Sequence, residues 1–151
     1  MARKSSEFAQ VNAEMVRKLL ATEPDPVPEG GYGLRVLETT GRRSGRIRQT
    51  PIGVLLLDGT RYLVSPDANR DWVGNLVATP NCRLRAGGAD ESGCAQPVGG
   101  AEAVSVISAY LNAVRAPWAI AAFPVGPAAS AAEIAAQLGS LAVFRLEPGA
   151  E

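Results

Sequence analysis

The pair Asp58-Gly59 restricts the folds open to this chain more than any other local feature. It stands between two apolar runs, 53–57 and 60–65. A two-residue link of this type supplies the positive φ angles that a tight hairpin turn requires, so the runs must return on each other as antiparallel strands. More strand candidates surround this hairpin. Residues 34–40 lead up to it and 46–57 form its long first arm, with Pro51 and Gly53 marking an edge, a bulge or a close ligand approach. Residues 81–86 alternate with Cys82 and Leu84 inward, residues 87–93 read as a loop, 94–98 pair back near an edge because of Pro97, and 141–146 close the chain.

Helical spacing marks three further segments. In 6–20, Phe8, Val11, Met15, Leu19 and Leu20 recur on one face after a Ser5 or Ser6 cap. This helix covers a sheet or, in a second reading, lies on a membrane surface or over a ligand. Residues 101–115 and the alanine-rich 128–138 are helices, and 117–127 is irregular between them. A short helix carries Trp72, Asn75 and Leu76 at i, i+3 and i+4, with Asn69 or Asp71 as its cap. The proline- and glycine-rich stretch 22–33 is a connector. With 151 residues, one domain over 1–151 is expected, of α+β class and mainly β: a small barrel or curled sheet with flanking helices.

Function concentrates in 39–51, Thr-Thr-Gly-Arg-Arg-Ser-Gly-Arg-Ile-Arg-Gln-Thr-Pro, where four arginines fall within seven residues of a chain of zero formal net charge. Gly41 and Gly45 bracket a turn, and Ser44 adds a hydroxyl and an N–H inside it. If 46–50 is extended, Arg46, Arg48 and Thr50 share one face, while Ile47 and Gln49 share the other. Arginine forks and turn N–H groups favour phosphate or carboxylate groups, so an anionic ligand fits this loop, against the alternative of a solvated charged turn. Zero net charge argues against a nucleic-acid partner. The chain has no histidine, which excludes a Ser-His-Asp triad, a Cys-His dyad and imidazole acid–base chemistry. Cys82 and Cys94 fit neither a zinc site nor a disulfide framework. No metal is called for, and chemistry must come from a bound cofactor or from plainer side chains. No apolar run reaches membrane-spanning length and no secretion signal opens the chain, so a cytoplasmic location is expected, at most peripheral to a membrane.

The stretch 39–51 resembles the Thr-Thr-Gly-Arg-Lys-Ser-Gly-x-x-Arg-x-x-Pro signature of the deazaflavin-dependent nitroreductase family, with Arg43 in the lysine place. Trp72-Val73-Gly74-Asn75-Leu76 is similar to that family's Trp-Tyr-x-Asn-Leu helix. The resemblance covers about residues 34 to 85. It implies a split β-barrel of the FMN-binding type and coenzyme F420, an 8-hydroxy-5-deazaflavin, as cofactor. Under it Arg42, Arg43, Ser44, Arg46 and Arg48 hold the phosphate and oligoglutamate tail. Gln49, Thr50, Pro51, Ile52 and Gly53, the strand end at Val64, Ser65 and Pro66, and the helix bearing Asp71, Trp72 and Asn75 surround the ring or its linker.

Ser65 then stands near the reactive carbon, where it can orient the ring or relay a proton, although a serine ending a strand also serves simply as a turn residue. The implied reaction is hydride transfer to an electron-poor small molecule such as an enone, quinone or nitro compound. Tyr110, Trp118 and Phe123 are the aromatic candidates for a substrate pocket. Pro66 and Val73 replace a lysine and a tyrosine common in the family, and the tyrosine cluster of nitroimidazole-reducing members is missing. FMN is the alternative cofactor, a non-catalytic carrier of a deazaflavin, tetrapyrrole or lipid is the alternative function, and the chain is a monomer or homodimer.

Overall fold

Asp58 and Gly59 both take positive φ, 52° and 75°, and join β2 (Ile47–Leu57) to β3 (Thr60–Ser65) as a tight antiparallel hairpin. This is the geometry in which the turn's twist matches that of its strands. The computed structural model describes residues 2–114 and 116–149, with side chains from residue 10 onward. Four more strands, β1 (Tyr32–Thr40), β4 (Asn81–Ala86), β5 (Ala89–Pro97) and β6 (Ala142–Pro148), complete a barrel of order β1-β2-β3-β6-β5-β4, closed by pairing of β4 with β1. Every neighbouring pair is antiparallel.

Alternation along the strands separates two cores. Leu37, Ile52, Val54, Leu63, Leu84 and Phe144 fill the barrel, and one end is stoppered by Trp72, Val73 and Leu76 of α2 (Asp71–Ala78). Trp72 meets Phe144 with ring centroids 6.0 Å apart. Leu55, Tyr62, Val64 and Val143 face outward, beneath α3 (Gly100–Ala113) and α5 (Ala131–Ala136). The remaining helices are α1 (Ala2–Ala21), along β1, β2 and β4, the short α4 (Pro117–Ala121) and a 3-10 turn, Leu138–Ser140.

Several expectations are corrected. Residues 87–93 are not a loop: Gly87-Gly88 is the whole turn, and Ala89 already pairs with Ala86. Pairing with β4, joined from Gly93 onward by β6, overrides the weak strand propensity of Asp90-Glu91-Ser92-Gly93. Gly93 is required there, because a Cβ would lie 2.9 Å from Leu146 Cγ. Residues 117–127 contain α4, which begins on Pro117, a residue suited to a first helical turn. The helix expected over 128–138 is shorter, since Ser130 and Glu133 form a capping box that starts it at Ala131. Neither Asn69 nor Asp71 caps α2: Arg70 occupies the cap position without a side-chain bond.

On α1 the face against the barrel is centred on Val16, with Leu19 and Leu20 half-buried, while Val11 is 58% exposed. Phe8, Ser5 and Ser6 fall outside the described side chains, as does Arg115, the expected last residue of the third helix.

Candidate functional site

The β1–β2 connection is a six-residue loop, 41–46, pulled tight by its own backbone. Gly41 N–H donates to the Arg46 carbonyl at 2.7 Å, Gly45 N–H to the Gly41 carbonyl at 2.8 Å, and Arg46 N–H to Ser44 Oγ at 3.1 Å. Gly45 has φ of 73°, and a Cβ at Gly41 would sit 2.8 Å from Ser44 Oγ, so both glycines are needed for this closure.

Beside the loop opens a cleft of about 700 Å³. Its floor and one wall come from Arg42, Arg43, Ser44, Arg48, Gln49 and Thr50, and a second wall from Asp71, Trp72 and Asn75 of α2. The third wall comes from α1, for which a place over a ligand was only the second reading: it contributes Asn12, Val16, Arg17 and Leu20. The helix therefore both covers the sheet and borders the cleft. Its volume lies in the range of small-molecule sites.

The charges of the cleft are unevenly matched. Arg42 Nη2 meets Asp71 Oδ1 at 3.4 Å, whereas Arg17, Arg43 and Arg48 have no carboxylate partner among the described residues. Three guanidinium groups thus border one concavity whose single carboxylate among the described residues is already engaged. Gln49 is tied from the side, its amide donating to Glu38 Oε2 at 2.7 Å, and Arg85 reaches the same carboxylate oxygen at 3.0 Å. Trp72 is 5% exposed and presents its remaining surface to the cleft.

The structure does not gather all of the expected residues here. Arg46 precedes β2 and does not line the cleft, although Arg48 and Thr50 do. Ile52 is turned into the barrel, and Val64 packs beneath α3. Gly53 backs onto Tyr32 and Tyr110, where a Cβ would lie 3.1 Å from the Tyr32 ring and 3.4 Å from Tyr110 Oη. Pro51 and Pro66 are half-buried and also stand outside the cleft lining. Ser65 is fully buried at the end of β3, its Oγ donating to the Asp67 carbonyl at 2.7 Å and accepting from Asp67 N–H at 3.2 Å. Those bonds are the signature of a turn-closing serine.

Tyr110 and Phe123 meet in a tilted pair with centroids 5.6 Å apart in the outer core, where burial pushes the Tyr110 hydroxyl pKa above its ordinary value. Trp118 is 75% exposed and lines no part of the cleft. Sequence reasoning missed Asn12 and Arg17; their spacing on α1 alternates with the apolar face, and only the packing of that helix brings them to the arginine loop.

A model of the F420H(2)-dependent quinone reductase family matches residues 9–119. That span contains the loop, both strands of the hairpin, α2 and the cleft-lining part of α1. No curated protein matches the chain. Similar solved structures include a heme binding protein from Mycobacterium smegmatis, 17% identical with a TM-score of 0.51; the match covers 76% of this chain and 46% of that one. General Stress Protein 26 from Bacillus anthracis is 11% identical with a TM-score of 0.52, over 89% and 87% of the two chains. A structure described as a domain-swapped dimer is 17% identical with a TM-score of 0.56, over 95% and 99%. This chain thus spans less than half the length of the heme binding protein, and at such identities the likeness concerns the fold.

Proposed function

Since the chain belongs to the F420H(2)-dependent quinone reductase family, and is by that membership an F420-dependent reductase, we propose that the cleft at the arginine loop is its coenzyme site and that a quinone is its acceptor. One observation carries the placement: Arg17, Arg43 and Arg48 border a single concavity and lack carboxylate partners among the described residues. Such a donor set fits a phosphate followed by a chain of carboxylates, because guanidinium groups form charge-assisted, bidentate bonds with both. In this reading Arg43, Ser44 and Arg48 hold the anionic end, Arg17 closes on it from α1, and Trp72 with Thr50 forms the flatter part of the cleft that receives the ring.

When bound, the reduced coenzyme supplies a hydride equivalent. The protein's share is orientation and the exclusion of bulk water on the α1 and α2 sides. In this reading water delivers the proton, since among the described residues the only carboxylate lining the cleft, Asp71, is paired with Arg42, and the Ser65 hydroxyl is spent on Asp67. Among the described residues no helix is long and apolar enough to cross a membrane.

The test is a fluorescence titration of the purified protein with coenzyme F420 and separately with FMN, followed by turnover of a soluble benzoquinone by the reduced coenzyme. Saturable binding of the deazaflavin in preference to FMN, with quinone-dependent oxidation, is the expected result. Preference for FMN would move the site to flavin chemistry, and tight coenzyme binding without turnover over a panel of quinones, enones and nitro compounds would make the protein a carrier.

A further inference from the structure

Arg42 lies in the middle of the anion-binding loop, yet its guanidinium turns away from the unpaired arginines and onto α2. Asn75 Oδ1 accepts from the Arg42 backbone N–H at 3.1 Å and from Arg42 Nη1 at 2.9 Å. Nη1 also donates to the Asp71 carbonyl at 3.1 Å, and Nη2 approaches Asp71 Oδ1 at 3.4 Å. Asn75 is itself fixed from below, its Nδ2 donating to Thr39 Oγ1 at 3.1 Å, and both residues are almost wholly buried, at 3% and 1% exposed. Gly74 provides the seat: a Cβ at that position would stand 2.9 Å from Arg42 Cζ and Nε.

We infer that Arg42 is a positioning residue rather than an anion ligand, a latch that holds α2 and its Trp72 against the loop bearing Arg43 and Arg48. The inference rests on the placement of the coenzyme site proposed above and assigns one of that site's residues a different task. The physical reason is geometric. The loop and α2 are about thirty residues apart in sequence, and no other side-chain hydrogen bond or ion pair among the described residues joins 41–46 to α2. A planar fork can bond Asn75 and Asp71 at once, which an ammonium group cannot do with the same alignment. If the latch opens, the anion hooks and the Trp72 wall no longer keep a fixed spacing, and a ligand that must touch both loses affinity although no direct contact to it has been removed.

The experiment measures the dissociation constant for coenzyme F420, its dependence on salt, and thermal stability, for wild type, Arg42→Ala, Arg42→Lys, Gly74→Ala, the Arg42→Ala/Gly74→Ala pair and Arg43→Ala. A latch predicts about tenfold weaker binding for Arg42→Ala, in keeping with loss of a charged hydrogen-bonding group. It also predicts no rescue by Arg42→Lys, a weakening by Gly74→Ala that vanishes in the Arg42→Ala background, and a salt dependence that Arg42→Ala leaves intact while Arg43→Ala reduces it. Restoration of affinity by lysine, or a salt slope lowered as much as in Arg43→Ala, would make Arg42 a direct ligand and overturn the inference. So would additive losses in the double variant, or lower thermal stability with unchanged affinity, which would leave a purely structural brace. Failure of the wild-type protein to bind the coenzyme would instead remove the proposed site, and the latch with it.

Discussion

The two ends of the barrel treat their charges in opposite ways. At the β1–β2 loop, cations outnumber their partners. At the other end, where β2 turns into β3 and β4 into β5, the charged groups are used up internally. Glu29 receives the N–H groups of Asp58 and Gly59 at 2.7 and 2.9 Å, and Glu23 receives that of Gly88 at 2.7 Å. Arg61 pairs with Glu91, and Arg35 donates to the Leu34 and Asp25 carbonyls, each at 2.8 Å. A cavity of about 340 Å³ lies at this end too, lined by Arg35, Arg61 and Glu91. Its polar groups already have partners, so it offers an incoming anion little.

Concavity is therefore a poor guide in this molecule, and unspent charge is a better one. The residues with spare bonding capacity mark the functional end, and those that saturate one another hold turns in place.

The largest effect should come from removing the spare charges. Arg43→Ala combined with Arg48→Ala is expected to weaken coenzyme binding about 100-fold or more, each charged hydrogen bond contributing about 1.5–3 kcal/mol, while Arg35→Ala combined with Arg61→Ala leaves the dissociation constant within about twofold. Equal losses from both pairs in the same titration would erase the distinction between the ends.

Next in size is a packing change remote from the loop. Gly93→Ala drives a methyl against Leu146 and should cost about 1–3 kcal/mol of stability, read as a lower midpoint in denaturant. Coenzyme affinity in the folded protein should be unchanged. A smaller loss, about 0.5–1 kcal/mol, is expected for Glu29→Gln, which weakens the acceptor for two exposed turn N–H groups. Were Glu29→Gln to alter affinity instead, the quiet end of the barrel would be coupled to the site.

The smallest effect concerns pH. Glu102 accepts from Tyr62 Oη at 2.8 Å and from Arg145 at 3.1 Å, and first the Tyr62 bond, then Arg145, lowers its pKa below the ordinary value. A depressed carboxyl pKa stabilises the fold above the unfolded-state value, near 4.5, and that contribution disappears as pH falls through the folded-state value. Thermal scans from pH 6 to pH 3 should show a slightly shallower acid decline for Glu102→Gln than for wild type. Coincident curves would mean that the group, being exposed, is screened to insignificance.

Much of this molecule was legible because its determinants are local. Asp58-Gly59 specified a hairpin through the φ angles that those two residues tolerate, and strand alternation placed Cys82 and Leu84 inside the barrel. The glycine bracket around Arg42-Arg43-Ser44 announced a tight, donor-rich turn, and the motif at 39–51 pointed to the family. Where local signals were ambiguous, reading failed: Asp90-Glu91-Ser92-Gly93 looked like a loop because weak strand formers carry no sign of the partners that hold them, β4 on one side and, from Gly93 onward, β6 on the other.

What the sequence determined by itself was the presence of an arginine-rich turn on a mainly β scaffold, since turn chemistry and periodicity act over a few residues. Only the tertiary structure decided which arginines remain available. Arg42 and Arg43 are adjacent and chemically identical and both line the cleft, yet one is bound to Asn75 and Asp71 while the other has no carboxylate partner among the described residues. That difference depends on packing α2 against the loop, with no side chain on Gly74 to obstruct it, and on laying α1 beside the barrel so that Arg17 completes the site. Contacts of this kind join residues about thirty positions apart, and no window of sequence contains both partners.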